Sequence, residues 1–351
     1  MSSVHSKLEN KEVDQLYRKN TVKSISFLLI LCVVLLVTIL LSLRSGSYDT
    51  PVGELIKGIF GLSADRKINL VVQNNRLPRI CTVILAGGGL GLAGCILQAV
   101  LRNPLASAST LGVSQGATFG AAFAIVVLGL GSTAGIGIPL CAFAGSIAVA
   151  LVILGLSRFR QVSPEGIVLA GVAISSMFTG ATTLMQYFAD EVQLSNLVFW
   201  TFGDLGSTGW KDLGGMGIAV AVLCVYCFLH RWDYNALLSG EETAVSLGIH
   251  VKRLTLVNMV LCCMCSSVIV AQVGLISFIG LVAPHIVRMV VGNNHVYLIP
   301  GSVLGGATLL LLGDLFARTV ISPVILPIGA ITSFLGGPLF LYLLFKGGKK
   351  Q

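Results

Sequence analysis

The strongest constraint in this sequence is an apolar stretch that is bounded by arginines. Residues 80–101 contain no charged side chain, and Arg79 and Arg102 lie directly at the two ends. At about 1.5 Å per residue, a helix of this length crosses the roughly 30 Å hydrocarbon core of a bilayer. Its glycines, at positions 87, 88, 89, 91 and 94, are typical of a helix whose backbone approaches neighbouring backbones closely. The stretch therefore predicts a spanning helix at the centre of a bundle.

The chain as a whole has the composition of a membrane protein. Of its 351 residues, 55% are hydrophobic and only 11% are charged. Apolar windows predict spans near 24–43, 80–101, 112–131, 136–156, 164–188, 213–230, 254–275, 278–291, 298–319 and 327–345. The eighth is too short to cross alone, so 254–291 can also form a long helix followed by a half-span buried in protein. We expect an all-α, polytopic protein with about ten transmembrane helices.

Charge distribution suggests an orientation. We divide the chain into an N-terminal tail (1–23), a membrane domain (24–346) with a loop at about 232–253, and a C-terminal tail (347–351). Basic residues favour a cytoplasmic location for both tails and for this loop. The opposite side nevertheless keeps Arg44, Lys57, Arg66, Lys67, Arg76, Arg79, Lys211 and Arg318. Either this orientation is wrong or these external cations have a function.

The sequence lacks the motifs of several classes of enzyme and of metal-binding protein. The sequence has no phosphate-binding loop, no nucleophile elbow, no zinc-binding helix motif and no pair of intramembrane carboxylates, so we predict no catalytic residue. The nine cysteines fall within the predicted spans, where we expect them to act as small apolar residues, and we predict no metal site. His285, beside Pro284, is either satisfied by a neighbouring helix or used in transport. Asp314 is expected to pair with Arg318 one helical turn away.

Glycine spacing adds a packing pattern. Gly112 and Gly116 lie four residues apart in the third predicted span, as Gly87 and Gly91 do in the second. Gly94 precedes Arg102 by eight residues, and Gly280 precedes Arg288 by the same distance, which is a weak internal repeat. Because transporters are often built from repeated halves, we predict two pseudo-repeated halves around a central pathway.

Two loops carry more chemistry than a connector needs. Residues 240–248 predict a short amphipathic helix with an acidic start at Glu241 and Glu242 and Gly248 as its C-cap. This helix could dock in the groove of a partner or lie against its own bundle, and periodicity does not separate the two. In the second loop, Ser163, Pro164 and Glu165 supply an N-cap, a first-turn proline and an acid that start a helix.

Longer motifs resemble a known family. They are RLPR at 76–79, RNPLA at 102–106 with LGVSQGA after it, LAGVA at 169–173, the SGEE…SLG loop, GLISFIGLVAPHIVR at 274–288 and LPIG at 326–329. From Ser24 onward the chain resembles the FecCD-type permeases of ABC importers, which include vitamin B12, haem and iron-siderophore permeases. The resemblance implies a ten-span subunit in a bacterial or archaeal plasma membrane, paired with a second copy or a paralogue. It also implies two cytoplasmic ATPases that bind ATP and Mg²⁺, an external binding protein that delivers a metal chelate, and no cofactor or nucleic acid on this chain.

The same resemblance assigns roles to residues. Arg76, Arg79 and Arg318 would meet carboxylates of the binding protein. The loop with Gly240, Glu241, Glu242, Leu247 and Gly248 would be the coupling helix that sits in an ATPase cleft. Ser163, Pro164 and Glu165 would lie in the region of the inner gate, where this sequence has a proline and an acid and the vitamin B12 permease has small polar residues. The alternative, an ion-driven secondary transporter, would need several buried ionisable groups, and Asp314 is nearly alone.

Overall fold

The structure is a computed structural model that describes residues 2–46, 50–131, 135–159, 164–321 and 323–347. All regular structure in these residues is helical, which confirms the predicted all-α class. The α-helices are α1 (Ser2–Arg44), α2 (Val52–Ile59), α3 (Arg66–Val71), α4 (Leu77–Val100), α5 (Val113–Ala122), α6 (Gly137–Phe159), α7 (Pro164–Phe188), α8 (Glu191–Phe202), α9 (Trp210–Leu229), α10 (Arg231–Leu238), α11 (Glu241–Ser246), α12 (Val251–Val273), α13 (Ile279–Val291), α14 (His295–Thr319) and α15 (Ile328–Gly347).

Ten helical segments have the composition of membrane spans. Among the described residues, seven are long and apolar enough to cross a bilayer: Arg18–Arg44, Arg66–Val100, Gly137–Ser157, Glu165–Phe188, Trp210–Leu229, Val251–Val273 and His295–Thr319. Three shorter apolar segments are Val113–Val127, Ile279–Val291 and Ile328–Tyr342. These ten coincide with the ten predicted spans, and the eighth is indeed a 13-residue half-span. The sequence analysis did not predict α2, α3 or α8.

The second span begins earlier than its apolar run. The helix is continuous from Arg66 to Val100, because a π-helical turn at Val72–Arg76 joins α3 to α4. The predicted span 80–101 therefore covers only the apolar part of this helix, since hydropathy does not register its polar first turns. As a result, Arg76 and Arg79 project from a helix instead of an external loop.

Helix α4 occupies the centre of the bundle, as predicted. It packs against α9, α12, α13 and α14, and most of its residues are buried. A Cβ added to Gly91 would lie 2.5 Å from the carbonyl oxygen of Ser302 in α14, and one added to Gly87 would strike the backbone of Gly306. A Cβ on Gly94 would strike the backbone of Gly280 in α13. Glycine at these positions allows helix backbones to touch directly.

The other predicted packing glycines have two different roles. Gly116 faces α6, where an added Cβ would lie 2.5 Å from the carbonyl oxygen of Gly145. Gly112 is not inside the helix: it precedes α5 with φ of 86° and ψ of 2°, a left-handed conformation that glycine adopts without a steric penalty. Of the two glycines predicted to pack in this span, Gly112 is therefore the N-cap of α5, and Gly116 lies inside the helix.

The region 254–291 follows the long-helix and half-span arrangement. Helix α12 ends at Val273, and α13 begins at Ile279 after Phe278, which has a left-handed φ of 65°. Phe278 packs against Gly336 of α15. The His285 ring in α13 lies 6.2 Å from the Phe340 ring of α15, centroid to centroid. The half-span thus contacts α15 through aromatic groups.

Candidate docking and coupling sites

A fully buried carboxylate organises one end of the bundle. Asp314 of α14 is 0% exposed. Its Oδ1 accepts hydrogen bonds from Nε of Arg79 at 3.0 Å and from Nη2 of Arg79 at 2.7 Å. Its Oδ2 accepts from Nε of Arg318 at 3.0 Å. The arginine side chains are only 15% and 12% exposed, so one carboxylate holds two largely buried guanidinium groups and links α4 to α14.

The arginines also cap the end of α1. Arg318 donates from Nη1 to the Ser45 carbonyl oxygen at 3.0 Å and from Nη2 to Ser42 Oγ at 2.7 Å. Arg76 donates from Nη1 to the Leu43 carbonyl oxygen at 2.7 Å. The last carbonyls of a helix have no partner within the helix, and its C-terminus carries partial negative charge, so cations stabilise it. This cluster (Arg76, Arg79, Asp314 and Arg318) is hereafter the arginine cluster.

The arginine cluster gives the external cations a contact that the sequence analysis did not predict. Arg76, Arg79 and Arg318 were expected to face outward, but their guanidinium groups turn inward onto α1 and Asp314. The predicted pairing of Asp314 with Arg318 is confirmed. Arg79, 235 residues away in sequence, was missed as the second partner. The cluster contains three guanidinium groups and only one carboxylate, which binds two of them, so it keeps a positive excess. Docking remains a prediction for these residues.

The predicted coupling helix exists and is only partly covered by its own bundle. Helix α11 follows Gly240, whose φ is 109°, and ends before Gly248, whose φ is 85°. Ala244 is buried and packs in a small cluster with Leu237 and Val251. The other apolar side chains of the segment, Val245 and Leu247, are exposed. One face therefore anchors the helix against its own bundle and the other presents apolar surface, and docking in a partner stays a prediction.

An ion pair connects this helix to the central helix. Nη2 of Arg102, just after α4, lies 2.8 Å from Oε2 of Glu241. Arg102 has a left-handed φ of 46°, which is uncommon for a residue with a side chain. Both side chains are close to half exposed, so the pair adds only about 0–1 kcal/mol to stability. Its importance is geometric, because it links Glu241, the first residue of α11, to the end of α4.

Behind the coupling helix, α10 is fixed by a buried hydrogen bond. The Tyr234 hydroxyl donates to Oδ1 of Asn258 in α12 at 2.7 Å, and both residues are fully buried. Burial raises the pKa of the Tyr234 phenol, so the hydroxyl stays a neutral donor. The loop that carries α11 is thus held against the membrane helices at both ends.

The predicted gate residues are placed in part. Ser163 lies outside the described residues, Pro164 is the first residue of α7, and Glu165 is exposed in its first turn. Further along α7, four small or polar residues are exposed: Ser176, Thr179, Gly180 and Thr183. Their spacing of three and four residues places them on one face of the helix. This polar face is unlike a surface that contacts only lipid.

The described part of the chain offers no metal centre. It contains no group of three or more His, Cys, Asp or Glu side chains positioned to hold an ion. All nine cysteines are free thiols, as expected for small apolar residues in a helical bundle.

Comparisons with known proteins agree with this architecture. The sequence matches the FecCD transport family over residues 34–346. A protein from Methanocaldococcus jannaschii, described as an ABC transporter permease, is 45% identical over 348 residues, which cover 97% of this chain and 99% of that protein. The vitamin B12 import system permease of Escherichia coli is 36% identical over 341 residues, 95% of this chain and 99% of the relative. A solved structure described as an inward-facing metal-chelate type ABC transporter superposes with a TM-score of 0.79 at 29% identity, over 92% of this chain and 99% of the other.

Ten apolar segments around a central helix that packs through its glycines therefore form the architecture of a multi-pass transport permease. The chain belongs to the FecCD transport family. It is a membrane-spanning permease subunit of an ABC importer, a class that works with ATPase and binding-protein partners.

Proposed function

We propose that this chain forms half of the translocation pathway for a metal chelate, such as an iron siderophore, haem or cobalamin. A second permease subunit, either another copy or a paralogue, supplies the other half. Two ATPases bind ATP and Mg²⁺ on the cytoplasmic side, and this chain binds no nucleotide or cofactor. An external binding protein delivers the chelate. Both termini and α11 lie in the cytoplasm of a bacterial or archaeal cell, with the arginine cluster at the outer face.

The observation that carries this proposal is the exposed apolar face of α11. Val245 and Leu247 are exposed in a helix that is already anchored through Ala244. Glu241 of this helix contacts Arg102 at the end of α4, so force on α11 reaches the central helix directly. An anchored helix with a second, uncovered apolar face suits a groove in a partner. An ATPase cleft is that partner in an importer of this class.

The polar face of α7 supports a paired arrangement. Ser176, Thr179, Gly180 and Thr183 gain nothing from contact with lipid tails, but they suit a water-filled path or a second helix. A large chelate crosses such a path through many weak contacts, so the pathway needs no cluster of strong ligands. Relatives named for vitamin B12 and for metal chelates support this cargo class.

Charge supports a docking role for the arginine cluster. Its three guanidinium groups and one carboxylate leave an excess of positive charge at one end of the molecule. Complementary charge accelerates the encounter between proteins even where single ion pairs add little affinity. We therefore place acidic groups of the binding protein opposite this end, with Asp314 holding Arg79 and Arg318 in position.

Burial of ionisable groups argues against a gradient-driven transporter. Among the described residues, Asp314 is the one carboxylate classed as buried, and it is already paired twice. A coupling-ion site would require unpaired acceptors at membrane depth.

Substitution on the exposed face of the α11 segment tests the coupling role. Leu247→Asp combined with Val245→Asp should abolish co-purification of the ATPase, because two charges enter an apolar groove contact. Leu62→Asp is the matched control, since Leu62 is similarly exposed but lies near α2, far from α11 in the proposed orientation. Wild-type recovery of ATPase with the double variant would refute the assignment. Uptake of labelled siderophores, haem and cobalamin by the reconstituted importer would then identify the cargo.

A further inference from the structure

The weak repeat in the sequence leads to a cavity that the transport function does not require. Helices α4 and α13 cross backbone to backbone at Gly94 and Gly280. Eight residues beyond these glycines, Arg102 and Arg288 line the same cavity of about 320 Å³. The shared spacing therefore places two guanidinium groups around one space, at the end of the bundle that carries α11.

Arg288 is the less satisfied of the two arginines. Arg102 pairs with Glu241. Among the described residues, the Arg288 guanidinium has neither a hydrogen-bond nor an ion-pair partner. Asn293 also lines the cavity and adds an amide that can donate. A cation without a partner at the edge of a membrane protein attracts an anion.

Two buried polar groups restrict which anions suit this cavity. His295 and Gln98 line the cavity and are each more than nine-tenths buried. Neither Nε2 of His295 nor Oε1 of Gln98 has a hydrogen-bond partner. Buried polar atoms are rarely left unpaired unless a ligand or water supplies the contact.

Contacts of the His295 ring determine what Nε2 can do. Nδ1 lies 3.1 Å from Oδ1 of Asn235, whose amide nitrogen is committed to Oδ1 of Asn294 at 2.9 Å. An amide oxygen only accepts, so Nδ1 carries the proton and Nε2 of the neutral ring is an acceptor. The cavity therefore offers guanidinium donors together with two acceptors, from His295 and Gln98.

We propose that this cavity binds a phosphate-type oxyanion. Its oxygens accept hydrogen bonds from Arg288 and Arg102, and its protonated oxygen donates to His295 Nε2 or Gln98 Oε1. A fully deprotonated carboxylate or a chloride ion satisfies the arginines but leaves both acceptors unpaired. Arginine is well suited to this chemistry because its planar fork matches phosphate oxygens. Free phosphate near neutral pH presents both ionised and protonated oxygens, whereas a phosphatidylglycerol headgroup presents ionised phosphate oxygens and donates from its glycerol hydroxyls instead.

Equilibrium binding distinguishes these sources. The purified, delipidated chain is incubated with radiolabelled inorganic phosphate, and a parallel sample in phosphatidylglycerol nanodiscs is assayed for lipid retained after detergent extraction. We expect about one saturable site per chain in one of the two arms. Arg288→Gln should weaken it at least about tenfold, since a charged hydrogen-bond partner is lost. Arg253→Gln removes an exposed positive charge that does not line the cavity, and should leave binding unchanged.

A cavity-filling variant separates site chemistry from folding. Ala99→Leu places bulk in the cavity while both arginines remain, and should also abolish binding at an unchanged thermal midpoint. Saturable phosphate binding would support a soluble ligand, and Arg288-dependent lipid retention would support a headgroup. Absence of both, or equal loss in Arg288→Gln and Arg253→Gln, would overturn the proposal.

Discussion

Removal of the Asp314 charge should severely destabilise the end of the bundle that carries the arginine cluster. Asp314→Asn preserves the shape of the side chain and one acceptor oxygen, but it replaces the oxygen that binds one of the arginines with an NH₂ group. That group points its donors at a guanidinium that has no acceptor to offer. The expected consequence is the separation of α14 from α4 and from the end of α1.

The contacts set the size of the effect. Asp314 accepts three hydrogen bonds from charged donors, at 2.7 Å and 3.0 Å from Arg79 and at 3.0 Å from Arg318. Each such bond contributes roughly 1.5–3 kcal/mol, and loss of one partner from a buried ion pair costs about 3–5 kcal/mol in total. We expect that range for Asp314→Asn. It corresponds to roughly two to three and a half powers of ten in the unfolding equilibrium.

Unfolding of the purified chain in mixed micelles by a graded denaturing detergent measures this difference. Glu191→Gln, which removes an exposed carboxylate, is the matched control and should change stability by less than about 1 kcal/mol. The double variant Asp314→Leu with Arg318→Met should be less destabilised than Asp314→Leu alone, because one fewer guanidinium has lost its carboxylate partner. A loss below about 1 kcal/mol for Asp314→Asn would refute the claim that this carboxylate holds the cluster together.

Two further predictions concern packing and the loop that carries α11. Gly91→Leu should prevent assembly of the helical core, because its Cβ would lie 2.5 Å from a carbonyl oxygen of α14. Gly215→Leu, in α9 with open space around the glycine, is the control and should express normally. Similar yields of folded protein from the two variants would contradict the proposed contact. Tyr234→Phe should cost about 1–3 kcal/mol by leaving the buried Asn258 oxygen unpaired, while Tyr187→Phe at an exposed site should have little effect in the same unfolding assay.

Hydropathy and motif spacing predicted most of the fold. Ten apolar segments, the half-span near 279–291 and the central position of α4 follow from lengths and glycine content, which are local properties. The start of the second helix did not follow, because its first turns are polar and partly exposed, and hydropathy reports only its apolar part. The unpredicted α2 and α8 are short, and their apolar residues do not form a window of spanning length.

Long-range contacts limited prediction of the sites. The pair Asp314 and Arg318 is visible as an i, i+4 spacing, but Arg79 reaches the same carboxylate only through tertiary packing. Similarly, the acidic start of α11 was evident, whereas its contact with Arg102 depends on how the loop folds back. For Arg76, Arg79 and Arg318, the sequence indicated that their positive charge needs a function. That their side chains turn inward depends on tertiary contacts, which the sequence does not reveal.

The crossings at Gly87, Gly91 and Gly94 have a mechanical consequence. Where two backbones touch without side chains between them, no rotamer change can absorb a displacement, so the helices behave as parts of one stiff body. Helix α4 has 24 residues and is therefore about 36 Å long. A displacement at the Val100 end of α4 would therefore be passed along the helix to Arg79 near its other end. Relative motion must then occur at less tightly joined helices such as α7 and α15, so the stiffness of the core determines which surfaces slide.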